Sequence, residues 1–131
     1  MTGKELYDLA LQLLGFKNAD GSENPDCMDL SSRAVSLTNI LLAETLWLDR
    51  ILKKDGEAVA EYLRTDRDEI ACHSLLANGV LPYGLAALLV AEEDDRTYKI
   101  MYERYLLGIK ELKEAAVGAR HEIDDCYKYH G

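Results

Sequence analysis

Glu92, Glu93, Asp94 and Asp95 stand in one run, the first place to look for chemistry in this chain. Carboxylates hold magnesium in all-α nucleotide pyrophosphohydrolases when they lie one helical turn apart on facing helices. Here the four are consecutive, so their side chains diverge, and the long second helix offers no obvious matching pair at one-turn spacing. A capped, solvated helix junction is the expectation for 92–95. Zinc would need Cys and His at ligating spacing. Cys72 and His73 are neighbours and point apart on a helix, and Cys126 with His130 is half a site. A Cys–His nucleophile has no oxyanion signature beside it. No phosphate-binding glycine loop and no G-x-S-x-G occurs. The residues therefore predict no catalytic site, no metal and no cofactor.

Tyr98, Tyr102, Tyr105, Tyr127 and Tyr129 concentrate near the end of the chain. The first three keep helical spacing and are expected in or beside the core, while aromatics that reach the surface favour protein interfaces. The break at 78–82 has the outline of a helix-turn-helix. Its second helix is apolar and lacks Arg, Lys, Asn or Gln to read bases, so sequence-specific nucleic-acid binding is not expected.

The elements that position these groups read as helices. Thr2 and Glu5 form a capping box, and Leu6, Leu9, Ala10, Leu13 and Leu14 recur at helical spacing up to Gly15. Residues 16–28 are polar and rich in breakers, a surface loop. Asp29 or Ser31 caps a helix that runs to about Lys54, roughly 36 Å long at the usual rise. Leu30, Ala34, Leu37, Leu41, Leu48 and Leu52 make its inner face, which Ile40, Trp47 and Ile51 widen. Asp55 and Gly56 stop it. A short helix is expected within 57–67. Another, from Asp66 or Asp68, ends at Gly79 in a left-handed stop. Leu81, before a proline, is expected extended, with Pro82 at the first position of a buried helix. Gly84 inside it costs about 1 kcal/mol against alanine unless a neighbour packs close. Asp94 or Asp95 caps a last helix over roughly 96–116, with Tyr98, Met101, Tyr102, Tyr105, Leu106, Ile109 and Leu112 inward. Residues 119–131 break the period and read as an extended tail, with Ile123 and Tyr127 as apolar anchors among acids. The domain limits are thus 1–118 for a helical body and 119–131 for the tail.

The totals agree with one helical domain: 131 residues, 48% hydrophobic, 30% charged and two prolines. A net charge of −9 disfavours adhesion to phosphate backbones. No apolar run approaches the roughly 20 residues of a membrane span. No signal peptide is read, and three odd cysteines, Cys27, Cys72 and Cys126, suggest reduced thiols in a cytoplasmic setting.

The segments "NILLAE" at 39–44, "LPYGLAALLVAEEDD" at 81–95, "MYERYLLGIKEL" at 101–112 and "EIDDCY" at 122–127 resemble the head–tail connector, or head-completion (adaptor), family of tailed phages and prophages. The likeness covers most of the chain and is best from Asn78 onward. It implies an all-α fold of four or five helices with an extended C-terminal tail. It implies a homo-oligomeric ring below the portal that extends the DNA channel and seats the neck and tail proteins. The portal protein and neck or tail proteins would be the partners. The site would be the virion neck, after assembly in the bacterial cytoplasm. By the same likeness Glu122, Ile123, Asp124, Asp125 and Tyr127 would form the docking arm. Glu92, Glu93, Asp94 and Asp95 would be acids at an interface or facing the channel. Two other readings stand beside it: a small acidic regulator of antitoxin type, and a carboxylate-metal nucleotide pyrophosphohydrolase.

Overall fold

A computed structural model describes residues 1–16 and 30–130, with side chains up to residue 117. Six helices occupy the described residues: α1 Gly3–Leu14, α2 Ser31–Glu44, α3 Leu46–Lys53, α4 Ser74–Gly79, α5 Leu81–Val90 and α6 Asp95–His130. The described residues include no strand, only an isolated antiparallel bridge between Thr2 and Glu69. The all-α reading holds, with six helices where four or five were expected. The expected 16–28 loop, apart from Phe16, lies outside the described residues, as do Cys27 and the candidate cap Asp29.

Local signals set α1. The Thr2 hydroxyl accepts the Glu5 N–H at 3.2 Å and donates to the Glu5 carboxylate at 3.3 Å. At the other end Gly15 sits at φ 75° and ψ 16°. Its N–H donates to Gln12 O at 3.1 Å while Phe16 N–H donates to Leu11 O at 2.9 Å, the paired bonds of a Schellman stop.

The expected spine to Lys54 is two helices, and Ser31 is its first helical residue rather than a cap. Thr45 divides it: buried, it turns its hydroxyl back onto Leu41 O at 2.8 Å. Such back-bonding bends a helix. The bend re-phases the faces. Leu42, Leu48 and Asp49 are buried, while Ile40 and Trp47, expected inside, are exposed.

Residues 55–73 form no helix, correcting the expectation of one within 57–67 and a second beginning at 66 or 68. Their backbone groups bond elsewhere. Asn39 clamps Leu63 from α2, donating to its carbonyl at 2.9 Å and accepting its N–H at 2.8 Å. The Asp68 carboxylate accepts the N–H groups of Arg64 and Thr65 at 2.7 and 3.0 Å. Gly3 N–H and Lys4 N–H donate to Asp68 O and Asp66 O at 3.1 and 2.7 Å. With those bonds made, Leu63 and Ile70 bury as anchors without a helix between them.

α5 lies at the centre, against α1, α2, α4 and α6. Leu81, Leu85, Ala86 and Leu89 are all but inaccessible. Gly79 is not a left-handed stop, and Leu81 is helical rather than extended. The break falls at Val80, because Pro82, the second residue of α5, brings no N–H to continue the ladder. Gly84 has the close neighbour its cost requires: a Cβ there would fall 2.8 Å from Tyr105 Cδ2 and 3.0 Å from Leu41 Cδ2. The Tyr105 ring fills that notch and is only 2% exposed.

α6 packs Met101, Tyr102, Tyr105, Ile109 and Leu112 onto the core, while Leu106, expected inside, is exposed. The helix does not stop near 116. Its 36 residues, about 54 Å of helix, run to His130, so the backbone of 119–130 is helical where an extended tail was expected. A single glycine, Gly118, costs only about 1 kcal/mol in a helix, and no proline follows it.

Candidate functional site

The acidic corner 92–95 spans the turn from α5 to α6, and all four side chains are exposed. Asp94 is the cap. Its carboxylate accepts the Thr97 hydroxyl at 2.6 Å and the Thr97 N–H at 3.0 Å. Those bonds, the hydroxyl's first, hold the Asp94 carboxyl below the usual aspartate range. Asp95 pairs along the helix with Lys99 at 3.1 Å. Glu92 borders a shallow groove with Arg33 and Leu88. Arg33 spends its guanidinium on the carbonyls of Leu88 and Leu89, at 3.4 and 3.2 Å, satisfying the end of α5. Among the described residues no three His, Cys, Asp or Glu side chains converge as a metal would require.

Cys72 and His73 sit where the 55–73 segment meets α3 and α4. His73 N–H donates to the buried Asp49 carboxylate at 2.7 Å, and Lys53 pairs with the same group at 3.0 Å. The His73 Nδ1 accepts the Leu75 N–H at 3.1 Å and so caps α4. The imidazole is thus engaged as a cap, turned to the backbone. Burial first, then the Asp49 charge, pushes the Cys72 thiol up to about 11, so it stays protonated near neutrality and is a poor nucleophile. The cleft beside it, bordered by Thr45, Asp49 and Val59, has about 10 Å³ of room, less than a small substrate needs.

The tyrosines form a ladder along α6. Tyr98 stacks on Tyr102 at 5.4 Å, and Tyr102 meets Tyr105 at 6.0 Å. The Tyr105 hydroxyl is buried without a hydrogen-bond partner, and burial, with Glu44 second, raises its pKa. The expected arm residues Glu122, Ile123, Asp124, Asp125 and Tyr127, with Tyr129 and Cys126, fall where side chains lie outside those described. Only their helical backbone enters the account.

What the described residues offer is surface for contact. Two cations lie over aromatic rings, one on each flank of α6: Arg104 over Tyr83 of α5 at 5.3 Å, and Lys113 over Trp47 of α3 at 5.8 Å. Beside them Leu107 and Leu106 are exposed. Exposed aromatic and Arg side chains are enriched at interface centres, whereas acids such as Glu111, which lines the groove with Tyr83 and Arg104, are depleted there. Sequence reasoning missed Trp47, Val59 and Tyr62 as surface groups. The only signal for Trp47 was its place two residues after Thr45, a β-branched hydroxyl residue able to bend the helix.

No family model, curated protein or solved structure matches this chain. No helix among the described residues is long and apolar enough to cross a membrane.

Proposed function

We propose that this chain is a structural head–tail connector of a tailed phage or prophage, acting by shape and contact rather than by catalysis. The observation that carries the reading is α6. It runs 36 residues, and past Leu112 no described side chain of it joins the core. A compact helical body with a long terminal helix is suited to a ring subunit that reaches a neighbour. The sequence likeness at 39–44, 81–95, 101–112 and 122–127 supports reading that ring as the one below the portal. In this reading the protein assembles below the portal, at the virion neck, after synthesis in the bacterial cytoplasm. The portal and the neck or tail proteins are its partners. The docking arm has a helical backbone and includes Ile123 and Tyr127. The exposed acids Glu92, Glu93, Asp94 and Asp95 keep DNA from adhering as it passes.

Two tests bear on this. Portal, major capsid and tail genes should flank this gene. Deleting the gene from an inducible prophage should leave DNA-filled heads without tails in electron micrographs. Normal tailed particles from the deletion would overturn the reading, as would hydrolysis of nucleoside triphosphates by the purified chain with magnesium.

A further inference from the structure

Residues 59–70 cross the body as a strap whose two ends belong to α3. Arg50 Nε donates to Ala58 O at 2.7 Å at one end. At the other, Lys53 Nζ donates to Ala71 O, and the Asp49 carboxylate accepts the His73 N–H at 2.7 Å. Within the strap only Leu63 and Ile70 are buried. Leu63 is pinned at mid-length to α2 by the two Asn39 bonds.

The strap covers one thing and completes another. Val59, Ala60 and Glu61 close over the cleft formed by Thr45, Asp49 and Cys72. Thr45 and Asp49 are buried beneath it. The far half completes the cap of α1. A helix start leaves its first N–H groups without partners inside the helix. Here the Glu5 N–H goes to the Thr2 hydroxyl at 3.2 Å, whereas those of Gly3 and Lys4 go to the strap, to Asp68 O and Asp66 O. Ile70 N–H donates in return to Met1 O at 2.8 Å. Leu63 Cδ1 stands 2.8 Å from the position a Cβ on Gly3 would take.

We infer that residues 59–70 open as one unit with the first turn of α1, and that this opening uncovers the Thr45–Asp49–Cys72 cleft. Two connections tie the events together. Between Ala58, held by Arg50, and Leu63, held by Asn39, lie four residues, too few to swing clear of the cleft while both ends stay fixed. Leu63 in turn rests on Gly3, whose N–H holds the strap at Asp68. Opening releases two buried apolar side chains and a handful of hydrogen bonds, so it costs less than unfolding the body. Ala71 and His73 stay with α3, so the Cys72 thiol is uncovered in place. The inference goes beyond the ring reading and does not rest on it.

The test is amide hydrogen exchange of the full isotope-labelled chain by NMR. Gly3, Lys4, Leu63 and Ile70 should share one protection factor, lower than that of α5 and only weakly dependent on urea, because little surface is exposed. Asn39→Ala should accelerate all four by one common factor, about tenfold or more. Thr2→Ala removes only the side-chain cap of α1, a milder change, and should still accelerate all four, by about threefold to tenfold. Alkylation of Cys72 by N-ethylmaleimide, read by peptide mass spectrometry apart from Cys27 and Cys126, should quicken in step. Thr2→Ala that speeds Gly3 and Lys4 but leaves Leu63 unchanged would show two separate units and overturn the inference. So would Cys72 labelling that ignores both variants, or protection at Leu63 equal to that of α5.

Discussion

Helix α5 and the 55–73 segment both bury leucine-class side chains, by opposite means. α5 does it with shape. Ten residues, eight of them buried, fit between four other helices with a glycine cut out for Tyr105. The 55–73 segment does it with hydrogen bonds. Leu63 and Ile70 are the anchors, and Asn39, Asp68 and Met1 O hold the backbone around them. A packed helix fails as a whole when its core is cut. A clamped segment should open alone while the rest stays folded.

The largest separation between the two regions comes from Leu85→Ala. It removes a fully buried side chain at the centre of α5, with an expected loss of about 2–5 kcal/mol in denaturant unfolding, reported alike by every probe. Asn39→Ala comes next. It strips both partners from the Leu63 backbone, an expected cost of about 1–3 kcal/mol. Hydrogen exchange should show the loss mainly in residues 58–70, and uniform acceleration across α5 would erase the distinction drawn here. Gly84→Ala is smaller because two effects oppose. The new Cβ meets Tyr105 and Leu41, an overpacking cost of about 1–3 kcal/mol. Helix propensity returns about 1 kcal/mol. A net destabilisation is expected, and a more stable variant would show that the notch has slack.

The smallest effect is that of acid. Asp68 and Asp94 have folded-state pKa values held below the ordinary 3.8, Asp68 by the Thr65 and Arg64 N–H groups and Asp94 by Thr97. A depressed folded pKa means stability that is present above the unfolded value and lost as pH falls through the folded one. Between pH 5 and about pH 3, melting temperature should therefore drop slightly more in the wild type than in Asp68→Asn. Equal slopes would mean that the Asp68 carboxylate contributes nothing measurable.

What could be read from the sequence was local. Thr2, Glu5 and Gly15 mark both ends of α1 with neighbours a few residues away, and Asp94 caps α6 in the same manner. The apolar run at 85–90 announces a buried helix wherever it lies. The notch at Gly84 was legible as a requirement, though the ring that fills it was not. What could not be read depended on distant partners. Nothing near Leu63 shows that Asn39, 24 residues earlier, will take its backbone bonds. Thr45 reads as an ordinary helical residue until its hydroxyl turns to Leu41. The final turns of α6 were read as extended because their apolar period fails; eight of the twelve residues 119–130 are also middling or poor helix formers, so neither period nor propensity signalled the helical backbone there.

The bonds from Gly3 and Lys4 to Asp68 and Asp66 also bear on how the chain is made. α1 begins at a joint whose other half is some sixty residues downstream, and it packs on α5 beyond that. At a synthesis rate of roughly 5–20 residues per second, α1 waits several seconds with Leu6, Ala10 and Leu11 uncovered before its partners emerge. A twelve-residue helix is marginal by itself in water, so through that interval the first segment is a ligand for whatever guards nascent chains at the ribosome exit.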